Sequence, residues 1–88
     1  MLPDIIEVTY IGQYCLRLRF DDGSEGEVDV AKLVEFLGVF AALADMDYFS
    51  QARVDTEVGT VVWPEGQDLD PLILYRAATG REISLRVG

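Results

Sequence analysis

The sequence has no histidine, a single cysteine, and only seven basic side chains against sixteen acidic ones. Without histidine there is no Ser-His-Asp or Cys-His nucleophile system and no imidazole general base near neutral pH. Cys15 alone excludes an intramolecular disulfide framework and, with no histidine to join it, an ordinary structural zinc site. Long apolar runs are also missing: stretches such as Val39 to Ala44 extend a few residues, whereas a membrane-spanning helix needs about 20. The formal charge of −9 repels phosphate backbones and anionic lipid, which argues against nucleic acid and membrane as partners of this chain alone. A basic protein is the complementary partner. The opening MLPDIIEVTY puts Pro3 and Asp4 where a signal peptide needs a basic and then an apolar segment, so a cytoplasmic protein is expected.

What is present points to one small α+β domain. Eighty-eight residues suffice for a single core, half of them are hydrophobic, and neither a repeat nor a linker interrupts them. Ile5 to Ile11 and Tyr14 to Phe20 are rich in β-branched and aromatic residues and meet at Gly12-Gln13, the pattern of a hairpin. In the second run Tyr14, Leu16, Leu18 and Phe20 alternate with Cys15, Arg17 and Arg19, a period of two that marks a half-buried strand. Asp21-Asp22-Gly23-Ser24 supplies turn chemistry, and Glu25 to Val30 alternates again, which completes a three-stranded antiparallel meander.

Helical spacing follows. Val30, Leu33, Val34 and Leu37 predict a helix capped by Asp29 and ended by Gly38, then a short helix over Phe40 to Ala44 and a further turn capped by Asp45. Ala52 to Val54 and Thr60 to Trp63 read as a second hairpin added to the sheet. Pro71 suits the first position of a last helix, with Asp70 as its N-cap and Leu69 and Leu74 as a hydrophobic staple; that helix is expected to end near Gly80. The domain is therefore expected over residues 1–80. Residues 81–88 form a C-terminal extension in which Ile83, Leu85 and Val87 alternate with polar residues, as an edge strand would.

The order of Phe20-Asp21-Asp22-Gly23, Gly38-Val39-Phe40, Tyr48-Phe49 and above all Trp63-Pro64-Glu65-Gly66-x-Asp68-Leu69-x-Pro71-x-x-Leu74-Tyr75 resembles a family of small bacterial proteins, the domain-of-unknown-function family DUF2442. The resemblance covers roughly residues 4 to 76. It implies an α+β domain, to which some members add a helix-turn-helix segment that has no counterpart pattern in this sequence. It also implies an antitoxin-like or regulatory role beside a small partner protein, and it carries no catalytic residue. The tail from Thr79 onward is longer than the minimal family pattern.

Three groups of residues are candidates for function. Glu65, Asp68 and Asp70 lie within six positions, and such carboxylates serve acid-base chemistry or hold a hard cation. Their spacing matches no EF-hand loop, and turn and cap duties account for them as well. Trp63 and Tyr75, flanking Pro64 and Gly66, read either as interface anchors or as a cover over the core. Arg17 and Arg19 share a strand face that Arg53 is placed to join, either as an anion site or as cross-strand partners of Glu7, Glu25 and Glu27. Cys15 shares that face. No phosphate-cradling motif and no cofactor is expected. The reading favoured is a non-catalytic interaction domain whose partner is a basic protein or a second copy, the latter by pairing of Ile83 to Val87 in a homodimer. The alternative is a small metal- or metabolite-binding domain or enzyme built on Glu65, Asp68 and Asp70.

Overall fold

The computed structural model describes residues 3–80. Residues 81–88, and with them the expected edge strand, lie outside the described residues. Strands β1 (Ile5–Gly12), β2 (Cys15–Phe20) and β3 (Glu25–Asp29) form an antiparallel sheet in the order β1-β2-β3. The alternation sets its faces: Leu16, Leu18 and Phe20 are buried, Arg17 and Arg19 are exposed, and the pairing of Leu16 with Val28 and Leu18 with Gly26 carries the inner face across to β3. The two-residue turn lies at Gln13-Tyr14, one position later than the sequence suggests. Gly12 and Gln13 both take positive φ there, at 112° and 49°.

The helix expected over Val30 to Leu37 is a single 3₁₀ turn, Val30–Lys32, capped by the Asp29 carboxylate on the Ala31 N–H at 3.1 Å. The segment carries too many large apolar groups for one helical stripe. Phe36 leaves it to stack edge-on against Tyr14, with ring centroids 5.0 Å apart, while Leu37 is turned out to solvent. Gly38, with φ 57°, does not end a helix but opens the 3₁₀ segment Gly38–Ala44. Helix α1 (Met46–Phe49) follows, capped by Asp45 as the sequence predicts.

Strands β4 (Arg53–Asp55) and β5 (Thr60–Val62) pair as a separate two-stranded sheet rather than extending the first. The two sheets are joined where the Ile5 N–H bonds to the Gly59 carbonyl at 3.0 Å. Gly59 has φ 80°, a left-handed conformation that favours glycine; a Cβ there would also lie 2.6 Å from the Asp4 carboxylate, a flexible side-chain end that can turn aside. Helix α2 (Pro71–Thr79) has the predicted ends: the Asp70 side chain accepts from the Leu72 N–H at 2.9 Å, Pro71 opens it, and Gly80 closes it in the left-handed region. Leu69 and Leu74 are both buried in the core that this helix completes.

Helix α2 lies directly on β3. A Cβ on Gly26 would meet the Ala78 carbonyl oxygen at 1.9 Å and its carbon at 2.7 Å, both backbone atoms that cannot swing aside. Gly26 is thus a contact point, the usual reason for glycine inside a strand. Gly26→Ala is expected to push helix and strand apart at a cost of about 1–3 kcal/mol, the range for overpacking. A urea melt reads it directly, and an unchanged midpoint would refute the close crossing.

Candidate functional site

Val62 to Tyr75 resolves into a tight hairpin followed by a helix start. The Gly66 N–H closes a β-turn on the Trp63 carbonyl at 2.9 Å, with Pro64 at the position whose φ its ring presets and Gly66 at φ 97°. The chain then returns along β5. The Trp63 N–H bonds to the Gln67 carbonyl at 2.9 Å, Asp68 bridges to Val62, and the Leu69 N–H reaches Val61 at 3.3 Å. The buried Thr60 hydroxyl donates to the Leu69 carbonyl at 2.7 Å. Each turn of the motif therefore has a backbone duty, and only then does Asp70 cap α2.

Side chains lock this hairpin to the rest of the domain. Trp63 is buried, tilted against Phe49 with ring centroids 5.5 Å apart, and its indole N–H donates to the Phe49 carbonyl at 2.9 Å. Tyr48 reaches the hairpin from α1: its hydroxyl accepts from the Glu65 N–H at 2.9 Å and donates to the Gln67 Oε1 at 2.6 Å. The Gln67 Nε2 then donates to the Val39 carbonyl at 3.2 Å and pins the 3₁₀ segment alongside. Gln67 is only 8 % exposed, so this network satisfies a polar group that burial would otherwise penalise. A hollow of about 380 Å³ remains between Val39 and the hairpin tip, lined by Val39, Glu65, Gly66 and Gln67.

The other candidates are placed differently. Tyr75 packs on the sheet: its ring stands edge-on to Phe20 of β2 with centroids 4.9 Å apart, and its hydroxyl donates to the Asp22 carboxylate at 2.8 Å. Glu65, Asp68 and Asp70 are exposed and do not converge, and among the described residues no three carboxylate or thiol groups gather as a metal site. Asp68 contributes its backbone to the bridge with Val62. On the outer sheet face Arg17 pairs with Glu25 at 2.6 Å and Glu27 at 3.3 Å, and Arg19 with Glu7 at 3.6 Å and Glu25 at 3.9 Å. The Glu25 hydrogen bond, more than any other influence, raises the Arg17 pKa above its ordinary value, and the guanidinium is charged at working pH with or without that shift. Arg53 lies on β4 of the second sheet and takes no part in these ion pairs, and Cys15 is half-buried opposite Asp29. Such exposed pairs shape the face more than they stabilise the fold.

Sequence reasoning passes over Tyr48 and Gln67 as site residues. The signal for Gln67 is the period of two it shares with Leu69, both buried, against the exposed Asp68 and Asp70.

Residues 5–80 match the sequence model of the family described as "Protein of unknown function (DUF2442)". The crystal structure of "Putative DNA Binding Protein NE0471" from Nitrosomonas europaea superposes with a TM-score of 0.73 at 24% sequence identity, a likeness of fold. The match covers 86% of this chain and 48% of that one, so this chain spans about half the length of that protein. No curated protein matches the sequence.

The bonds through Tyr48 and Gln67 are expected to be non-additive. Gln67→Leu leaves the Tyr48 hydroxyl and the Val39 carbonyl short of a partner, a loss of about 1–3 kcal/mol. Tyr48→Phe combined with it should cost clearly less than the two single losses together, because the bond between the two side chains is lost only once. Urea melts followed by the emission of Trp63, the sole tryptophan, measure all three variants; simple additivity would show that the two side chains act independently.

Proposed function

The chain belongs to the DUF2442 family, whose description assigns no activity, and from that premise we propose that it is an acidic protein-interaction domain that recognises a basic protein. The observation that carries this reading is the distribution of charge. From residue 33 to residue 75 the only cation is Arg53 against eight carboxylates, a net charge of −7 within the −9 of the whole chain. A surface of that sign draws basic partners together with it and raises their association rate. Within the stretch Val62 to Tyr75, Trp63, Gln67 and Asp70 meanwhile bond to the protein itself, which leaves them holding a surface in shape rather than performing chemistry. An antitoxin-like pairing with a small basic protein in the cytoplasm is the specific form that the family resemblance suggests. No described helix is long and apolar enough to cross a membrane.

A second reading is raised by the name of the Nitrosomonas europaea protein, which speaks of DNA. More than half of that chain lies outside the match, and the matched part of this chain is acidic. On the first reading, duplex DNA at about 0.1 M salt should show no retardation by this chain, since binding to phosphates depends on cationic contacts that it has few of.

Affinity capture from the native lysate tests the interaction reading. A stoichiometric basic protein should be retained at about 0.1 M salt and released towards about 1 M, as the screening length falls from about 10 Å to about 3 Å. Retardation of DNA, or a captured partner that is acidic or indifferent to salt, would count against it. A melting midpoint raised by Mg²⁺, Ca²⁺ or Mn²⁺ would instead return Glu65, Asp68 and Asp70 to consideration as a cation site.

A further inference from the structure

We propose that the hollow between Val39 and the tip of the Trp63 hairpin is the docking site for a short basic segment, in which one arginine or lysine lays its aliphatic stem over Val39 and sets its charge on Glu65. The inference rests on the interaction reading above and gives that reading a surface and a chemistry.

The hollow is preformed. One wall is the 3₁₀ segment held through the Val39 carbonyl, the other is the hairpin tip held through the Glu65 N–H, and both bonds run through Tyr48 and Gln67. A ligand entering it meets walls already fixed, which spares the ordering cost that weakens binding to mobile loops. Gly66 takes φ 97° at the end of the β-turn that forms the tip, a conformation that glycine adopts without strain.

The rim has two chemistries side by side. Val39 is 75% exposed and Leu37 67%, the two most exposed large apolar residues described, separated only by Gly38. Glu65 lines the same hollow, and its carboxylate takes no hydrogen bond or ion pair among the described residues. That contrasts with Glu7, Glu25 and Glu27, which pair with Arg17 and Arg19. An apolar side chain beside an uncompensated carboxylate is what the stem and head of arginine or lysine fit. A second copy of this chain fits less well: a two-fold contact would set Glu65, in a region of net charge −7, against its own equivalent.

A phage-displayed library of random 12-residue peptides, selected on the whole chain, tests the site. The enriched peptides should pair a basic residue with an apolar neighbour. Their affinity should fall about tenfold or more on Val39→Ser/Glu65→Lys, and on Glu65→Gln it should fall together with its salt dependence. Backbone amide shifts on titration should move first at Val39, Glu65 and Gly66. Val39 and Glu65 are both exposed, so the variants should keep the wild-type urea midpoint. Basic peptides that bind the double variant equally well would overturn the site and leave the interaction reading standing. No enrichment, or enrichment without basic residues, would overturn the site and weaken that reading as well. Self-association abolished by the double variant would assign the hollow to a second copy and overturn the proposal.

Discussion

The contact between Phe49 and Trp63 holds the two halves of this domain together. Phe49 sits at the end of a four-residue helix, far shorter than the length at which a helix persists alone, so its position depends on what it packs against. Its ring meets Tyr10 and Tyr14 from the first hairpin, Phe36 from the connecting loop and Trp63 from the second sheet, with centroids 5.4 to 6.4 Å apart. Its carbonyl, one of those that a helix end leaves without a partner, accepts from the Ala52 N–H at 3.2 Å and the Trp63 indole at 2.9 Å. A buried indole needs an acceptor and a buried carbonyl needs a donor, so each group makes the burial of the other affordable. Truncating either ring would remove about 3–5 kcal/mol from a total that for a domain of this kind is about 5–15 kcal/mol.

The same short helix connects the core to the surface. Phe49 points into the aromatic cluster while Tyr48, one residue earlier, turns to the hairpin tip and bonds to Glu65 and Gln67. One turn of helix therefore sets both the depth at which Trp63 is buried and the shape of the hollow beside Val39. A core substitution that displaced α1 would be felt at the rim, although no rim residue had changed.

Much of the acidic composition has local work to do. The carboxylates of Asp22, Asp29, Asp45, Asp55 and Asp70 each accept from the backbone N–H two residues ahead, ending turns and starting helices, and Asp21 accepts from the Asp4 N–H. This is why the elements with the strongest local grammar were legible in the sequence. The Asp70-Pro71 start and Gly80 stop of α2 are local signals, and so is the alternation from Tyr14 to Phe20. Residues 30–37 misled because their apolar spacing satisfies a helix, yet Tyr14, distant in sequence, draws Phe36 out of it. The close contact at Gly26 leaves no mark in the sequence, because the backbone of Ala78, distant in the chain, explains it; the alternation of Gln67 with Leu69 marks Gln67 as inward-facing, but its partner Tyr48 is not legible.

The most recognisable stretch of the sequence is thus largely a folding device. Trp63, Gly66, Leu69, Asp70, Pro71 and Leu74 turn the chain, bury it or start a helix, while Tyr48 and Gln67 hold the hairpin tip against the 3₁₀ segment and so shape the hollow. The groups that face outward around the hollow, Val39 and the Glu65 carboxylate, are not needed for that geometry, because Val39 contributes its carbonyl to it and Glu65 its N–H. Side chains at those two positions are free to change while the backbone bonds persist. Val39 and Glu65, both part of the quoted family pattern, thus carry side chains that the fold itself does not use, so the backbone role of a position and the chemistry of its side chain are separable even within the pattern.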